Sequence, residues 1–136
     1  NNNLCSISSL VKKAVCDSLN GYDENLAYED YDFWIRASTI YNFDYVDKIL
    51  VQKRVLKDSM YTLLTQKNNK KTRRFNYSTY LILQKAFKLN RTKEEFVAML
   101  KRIHFEMTVA YKTRDFHLLM KYIFLELKVR STILYK

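Results

Sequence analysis

The sequence predicts an α+β fold that is mainly helical, a short mixed segment followed by a small antiparallel helical bundle. Three observations lead there. The second half holds three amphipathic stretches with short connections. The chain has no Pro and one Gly, so it lacks the turn residues of a hairpin-rich β-barrel. Residues Asn42 to Arg54 are rich in Phe, Tyr, Val, Ile and Leu and supply one or two strands.

Taken in order, residues Leu4 to Ser9 alternate weakly, as a short strand does. Leu10, Val11, Ala14 and Val15 have helical spacing and predict a short helix from Leu10 to Asp17. Asn20-Gly21 is the one strong turn signal, and an acidic loop from Tyr22 to Tyr28 follows it. From Asp30 the apolar residues Phe33, Trp34, Ala37 and Ile40 recur at three- and four-residue steps. Glu29 and Asp30 then stand at a helix start, where backbone N–H groups and the dipole favour carboxylates.

The polar stretch Lys67-Asn68-Asn69-Lys70-Lys71 marks the join between residues 1–65 and 66–136. Beyond it, Phe75 to Leu89 predicts a helix with Tyr77, Tyr80, Leu81, Leu83 and Phe87 as apolar contacts. Thr92-Lys93-Glu94-Glu95 is a capping-box pattern opening a second helix. Its stripe is Phe96, Met99, Leu100, Ile103, Met107 and Ala110. A third helix spans Asp115 to Arg130, with Phe116, Leu119, Met120, Ile123 and Leu127 on its expected inner face.

Charge is unevenly placed along the chain. Residues 1–50 carry four Lys/Arg against eight Asp/Glu, and the rest carry 20 against six, within a total of +10. Lys67, Lys70, Lys71, Arg73 and Arg74 put five positive charges into eight residues, a patch suited to an anionic membrane surface or nucleic acid, or simply a solvated loop. Cys5 and Cys16 lack zinc spacing and read as free thiols of a reducing cytoplasm. His104 and His117 have no partners at ligand spacing, so no metal site is expected.

The stretch richest in chemistry is Gly21-Tyr22-Asp23-Glu24 followed by Glu29-Asp30-Tyr31-Asp32-Phe33-Trp34-Ile35-Arg36. It resembles the C-terminal half of family 2 glycosyltransferases of the GT-A fold, whose pattern is a G-[FY]-D-E turn and then E-D-x-D-[LF]-W-x-R. Upstream, Ser8-Ser9-Leu10-Val11-Lys12-Lys13 is similar to that family's approach to the turn. Downstream, Tyr41 to Arg54 is similar to its strand segment. The resemblance covers roughly residues 4–60.

On that resemblance, residues 1–65 are the acceptor-side part of a GT-A domain and residues 66–136 a basic helical appendage. Inverting sugar transfer needs a carboxylate to take the acceptor hydroxyl proton. The resemblance makes Asp30 that base and has Glu29 shape the acceptor site. Tyr28, Tyr31 and Trp34 would form an apolar floor for a sugar ring. Gly21, Asp23 and Glu24 form the structural turn. Asp32 and Arg36 are expected to pin the helix to its surroundings, so Asp30-Tyr31-Asp32 is not read as a metal-binding Asp-x-Asp.

No βαβ start or glycine-rich segment is present, so the expectation is a fragment that needs an N-terminal donor-binding half. It holds no cofactor of its own. A nucleotide sugar, with a divalent metal in metal-dependent relatives, belongs to the whole enzyme. Leu56 stands where many relatives have His, which puts that metal dependence in question. The implied acceptor is a saccharide or a lipid-linked sugar, at the cytoplasmic face of the membrane. Two other classes stand beside this one: a basic helical module for nucleic acid or a membrane surface, and a structural self-association domain. Nucleic acid ranks lower because no RNP, KH or helix-turn-helix pattern appears.

Overall fold

A computed structural model describes residues 6–52, 66–67 and 69–135. Among these the chain is mainly helical, and five α-helices follow a single 3₁₀ turn at Ser6–Ser8. They are α1 (Lys13–Ser18), α2 (Glu29–Ser38), α3 (Lys70–Leu89), α4 (Lys93–Lys112) and α5 (Phe116–Leu134).

The sequence predicts strands in two places, and no strand occurs among the described residues. Ser6–Ser8 turns as 3₁₀ where a strand was expected; Leu4 and Cys5 lie outside the described residues. Residues 41–52 are irregular, and Tyr45, Ile49 and Leu50 are exposed. β-forming residues express their preference only on a pleated surface with a partner strand, and no described segment supplies one. The continuation through Arg54 and Leu56 lies outside the described residues.

The bundle is α3, α4 and α5, and its caps explain its boundaries. Asn69 caps α3 by accepting the Lys71 N–H at 2.8 Å. The helix therefore begins at Lys70, five residues before the predicted Phe75, and draws Lys70, Lys71, Arg73 and Arg74 out of the expected linker into its first turns. Thr92 and Glu95 form the predicted capping box, with N–H···O distances of 3.3 and 2.9 Å. Asp115 caps α5 through the Leu118 N–H. Between α4 and α5, Arg114 adopts φ +58°. The Arg114 and Asp115 N–H groups return to the carbonyls of Tyr111 and Ala110, a Schellman closure that reverses the chain in three residues.

The core joins Tyr80 and Leu83 of α3 to Phe96, Met99, Ile103 and Ala110 of α4 and to Leu118, Tyr122, Leu125 and Val129 of α5. The α4 stripe is the predicted one, with Leu100 and Met107 packed at its margin. The α5 face is not. Phe116, Met120 and Leu127, expected inside, are exposed, and Leu118, Tyr122, Leu125 and Val129 are buried in their place. This helix is apolar on several sides, so periodicity could not choose between faces. On α3, Tyr77 is likewise largely exposed, while Ile82 and Ala86 are buried.

A second, smaller core holds Phe33, Trp34 and Ala37 of α2, with Val11, Val15, Cys16 and Leu19 packed against it. Helix α2 also packs on α3. No described helix is long and apolar enough to cross a membrane.

Candidate functional site

The site is built outward from the Asn20-Gly21 turn. Helix α1 ends in a Schellman closure, with Asn20 and Gly21 N–H groups bonded to the Asp17 and Cys16 carbonyls. Asn20 has φ +55° and Gly21 +64°, a left-handed conformation that Gly adopts without a Cβ clash. The turn then continues through Asp23, whose Oδ1 accepts the Asn25 N–H at 3.2 Å.

Arg36 clasps this turn from α2. Its two terminal nitrogens donate to the Leu19 carbonyl at 2.6 Å and the Gly21 carbonyl at 2.9 Å, while Nε donates to Asp32 Oδ2 at 2.8 Å. Asp32 is only 1% exposed, and its other oxygen accepts Lys85 Nζ at 2.9 Å. Lys85 comes from α3 and also reaches Asp23 Oδ2 at 2.7 Å. Two carboxylates and two cations thus tie the turn, α2 and α3 together. The Lys85 hydrogen bond holds the Asp23 carboxyl below its ordinary range, against a smaller opposing effect of burial. For Lys85, burial pulls the ammonium down, but the hydrogen bonds and charges of Asp23 and Asp32 together raise it.

The first turn of α2 gathers four of the predicted residues. Tyr28 occupies the N-cap position, its carbonyl accepting the Asp32 N–H at 3.2 Å and its ring meeting Phe75 edge-on at 5.6 Å. Ala27 N–H donates to Ser78 Oγ of α3 at 2.8 Å, which fixes the approach to the helix. Glu29 is exposed. Asp30 is half-buried, and its Oδ1 accepts the Tyr31 N–H at 2.7 Å.

Tyr31 borders a groove of about 220 Å³ between α2, α3 and α4, shared with Ile35, Leu83, Asn90, Met99 and Arg102. The Arg102 guanidinium lies 5.2 Å from the Tyr31 ring centre and pairs with Glu106 at 2.7 Å. Burial raises both the Tyr31 phenol and the Glu106 carboxyl, with Arg102 opposing the rise in each. An apolar wall with a phenol and a guanidinium at its margin can hold a polyhydroxylated ring by stacking and hydrogen bonds.

Other predicted residues lie elsewhere. Trp34 is 6% exposed and packs edge-on against Phe33 and Phe43, so it belongs to the second core and offers no open face to a sugar. Its Nε1 has no hydrogen-bond partner among the described residues. Glu24 is exposed on the turn. Lys70, Lys71, Arg73 and Arg74 are exposed on α3 and Lys67 just before it, with no ion pair among the described residues.

Asp30-Tyr31-Asp32 does not suit a metal, because Arg36 and Lys85 occupy both oxygens of Asp32. No group of three ligating side chains occurs among the described residues. His104 does have a partner, which spacing did not reveal: its Nε2 lies 2.9 Å from Glu126, itself bonded to Arg130. Lys85 and Arg102 were not legible as site residues, since the contacts that bring them to the site, Lys85 to Asp23 and Asp32 and Arg102 to the Tyr31 ring, are made across more than fifty residues of chain.

Compared with models of protein families, with curated proteins and with solved structures, the chain matches none of them.

Proposed function

We propose that this chain is the acceptor-side portion of an inverting glycosyltransferase, with Asp30 as the general base and Glu29 and Tyr31 lining the acceptor site. The carrying observation is the Arg36 clasp. The Gly21 turn and the Glu29–Arg36 stretch are two short motifs separate in sequence, yet the Arg36 guanidinium bonds the Leu19 and Gly21 carbonyls of the turn and Asp32 in the first turn of its own helix. This is the arrangement expected if the two motifs act together to position the start of α2, which carries Asp30. The exposed apolar residues of 41–52 support the same reading, since they have the composition of a strand awaiting a sheet.

The donor nucleotide sugar is then bound by a unit outside these 136 residues, with any metal it requires. In this chain Asp30 takes the proton of an acceptor hydroxyl as that oxygen attacks the anomeric carbon and the bond from that carbon to the donor's phosphate oxygen breaks, the nucleotide leaving on the donor-binding unit. The test is made in the protein that includes the donor-binding unit. Asp30→Asn keeps the shape and removes the proton acceptor, so kcat falls by roughly 10²-fold or more. The melting temperature stays close to that of the parent protein. The 136-residue chain alone turns over no nucleotide sugar. Near-normal turnover by the variant, or any turnover by the isolated chain, would overturn the proposal.

A further inference from the structure

Among the described residues the bundle leaves one long side unpartnered, and the charges around it say what covers it. On α5 the residues Phe116, Met120, Phe124 and Leu127 repeat at three- and four-residue steps, with Leu134 two turns further on the same side, and all are exposed, Phe124 to 66%. This row borders a groove of about 310 Å³ between α3 and α5, lined by Tyr80, Gln84, Phe87, Lys88, Phe124 and Lys128. The two helices run side by side in the same direction: the Tyr122 hydroxyl reaches the Asn76 carbonyl, and Lys128 lies 5.2 Å from the Phe87 ring centre.

Cations flank the row. Lys121 sits 5.6 Å from the ring centres of Tyr77 and Tyr80. On α3, Lys70, Arg73, Tyr77, Gln84 and Lys88 share one exposed side at helical steps. Helix α3 contains no Asp or Glu, and the one acid of α5, Glu126, is bonded to His104 and Arg130. None of Lys70, Arg73, Lys88, Lys121 and Lys128 has a carboxylate partner among the described residues.

We infer that the outer side of α3 and α5 docks on an anionic lipid bilayer, the α5 row entering the headgroup boundary and the flanking lysines and arginine meeting lipid phosphates. Charge complementarity selects this occupant. A second copy joined face to face would bring the same cations against each other with no carboxylates between them. A nucleic acid would satisfy the cations and the aromatic rings but leave Met120, Leu127 and Leu134 against a polar backbone. A bilayer surface answers both halves of the face. The inference is independent of the glycosyltransferase reading and fails separately from it.

The test uses the 136-residue chain and co-sedimentation with phosphatidylcholine vesicles, with and without phosphatidylserine, at low and moderate salt. Binding is expected only with phosphatidylserine and should weaken as salt is added. Lys88→Glu with Lys128→Glu should reduce binding more than about 20-fold, at about fivefold per charge at the surface. Phe124→Ser with Leu127→Ser should reduce it about tenfold or more, and both sites are already exposed, so circular dichroism should be unchanged. Lys101→Glu with Lys112→Glu makes the same charge change on exposed positions of α4 and should cost much less. Equal binding to neutral vesicles, no binding to either, or an equal loss from the α4 reversals would overturn the inference. So would tight binding of single-stranded DNA that is indifferent to Phe124 and Leu127, or a dimer in solution that the serine variants dissociate.

Discussion

The two regions of this chain are held together by different means. In the bundle, ten buried core residues from three helices interlock, and hydrogen bonds at the helix caps set where each helix begins. In the N-terminal region the apolar cluster is small, and a chain of charged groups fixes the turn and α2: Arg36, Asp32, Lys85 and Asp23. Apolar burial is non-directional and tolerates small shifts, whereas a guanidinium on two carbonyls and a carboxylate fixes a geometry. Under the proposed function, a site that must hold one carboxylate in place is better served by the second kind of support. A basic surface is better carried by the first, because a bundle stabilised from within leaves its outside free to bear like charges.

The comparison predicts where each region breaks. Ile103 is fully buried at the centre of the bundle. Ile103→Ala should cost about 2–5 kcal/mol through lost burial and a cavity, and chemical denaturation should register the loss. A much smaller cost would mean that the bundle repacks and that its core is not the principal support.

Asp32→Asn tests the other support. The amide keeps the volume but leaves Arg36 and Lys85 with no full counter-charge at this position. Both cations retain some solvent access, so the expected cost is about 2 kcal/mol rather than that of a fully buried pair. The loss should be local: amide exchange rises around the Gly21 turn and α2 while α4 and α5 keep their protection. Equal deprotection of all helices would show that the two regions unfold as one.

The two Schellman turns allow a finer contrast. A Cβ at Gly21 would meet no atom within 4 Å, so Gly21→Ala should cost only the strain of its positive φ, roughly 1 kcal/mol. Arg114 bears the same kind of strain between α4 and α5, and Arg114→Gly should raise stability by up to about 1 kcal/mol, seen as a higher melting temperature.

The smallest effects are in the pH dependence, and the regions differ in it. Asp23 is held low by Lys85, and Glu126 by His104. Each contributes stability that is fully present above its ordinary carboxylate value and is lost as pH falls through the depressed one. Glu106, raised by burial, has the opposite sign: its contribution is full below the ordinary glutamate value and is lost as pH rises through the raised one. Asp23→Asn should therefore flatten the acid side of the melting-temperature profile. Glu106→Gln should gain on the parent protein as pH rises from acid toward neutral. Parallel profiles for parent and variants would sink these assignments.

Much of this was readable from single residues and their near neighbours. Thr92 with Glu95 opens a helix because both partners of the capping box lie within one turn. The Asn20-Gly21 turn follows from the conformations those two residues tolerate. Asp32 and Arg36 are one helical turn apart, so their pairing is also local. The start of α3 is not legible in the same way, because a run of Lys and Arg reads as linker, although a single Asn cap suffices to begin the helix there.

What the sequence by itself determined, then, is wherever the interacting groups lie within a few residues: caps, turns, the α4 stripe and the pairing of Asp32 with Arg36. Tertiary structure decided the rest. A helix with apolar residues on several sides has no preferred face until its neighbours take one, so packing sent Leu118 and Tyr122 inward and left Phe116 and Phe124 outside. Lys85 became the link between Asp23 and Asp32 only when α3 was laid against α2, across more than fifty residues of chain. No local pattern encodes such a contact, because its energy exists only after the loop between its partners has closed.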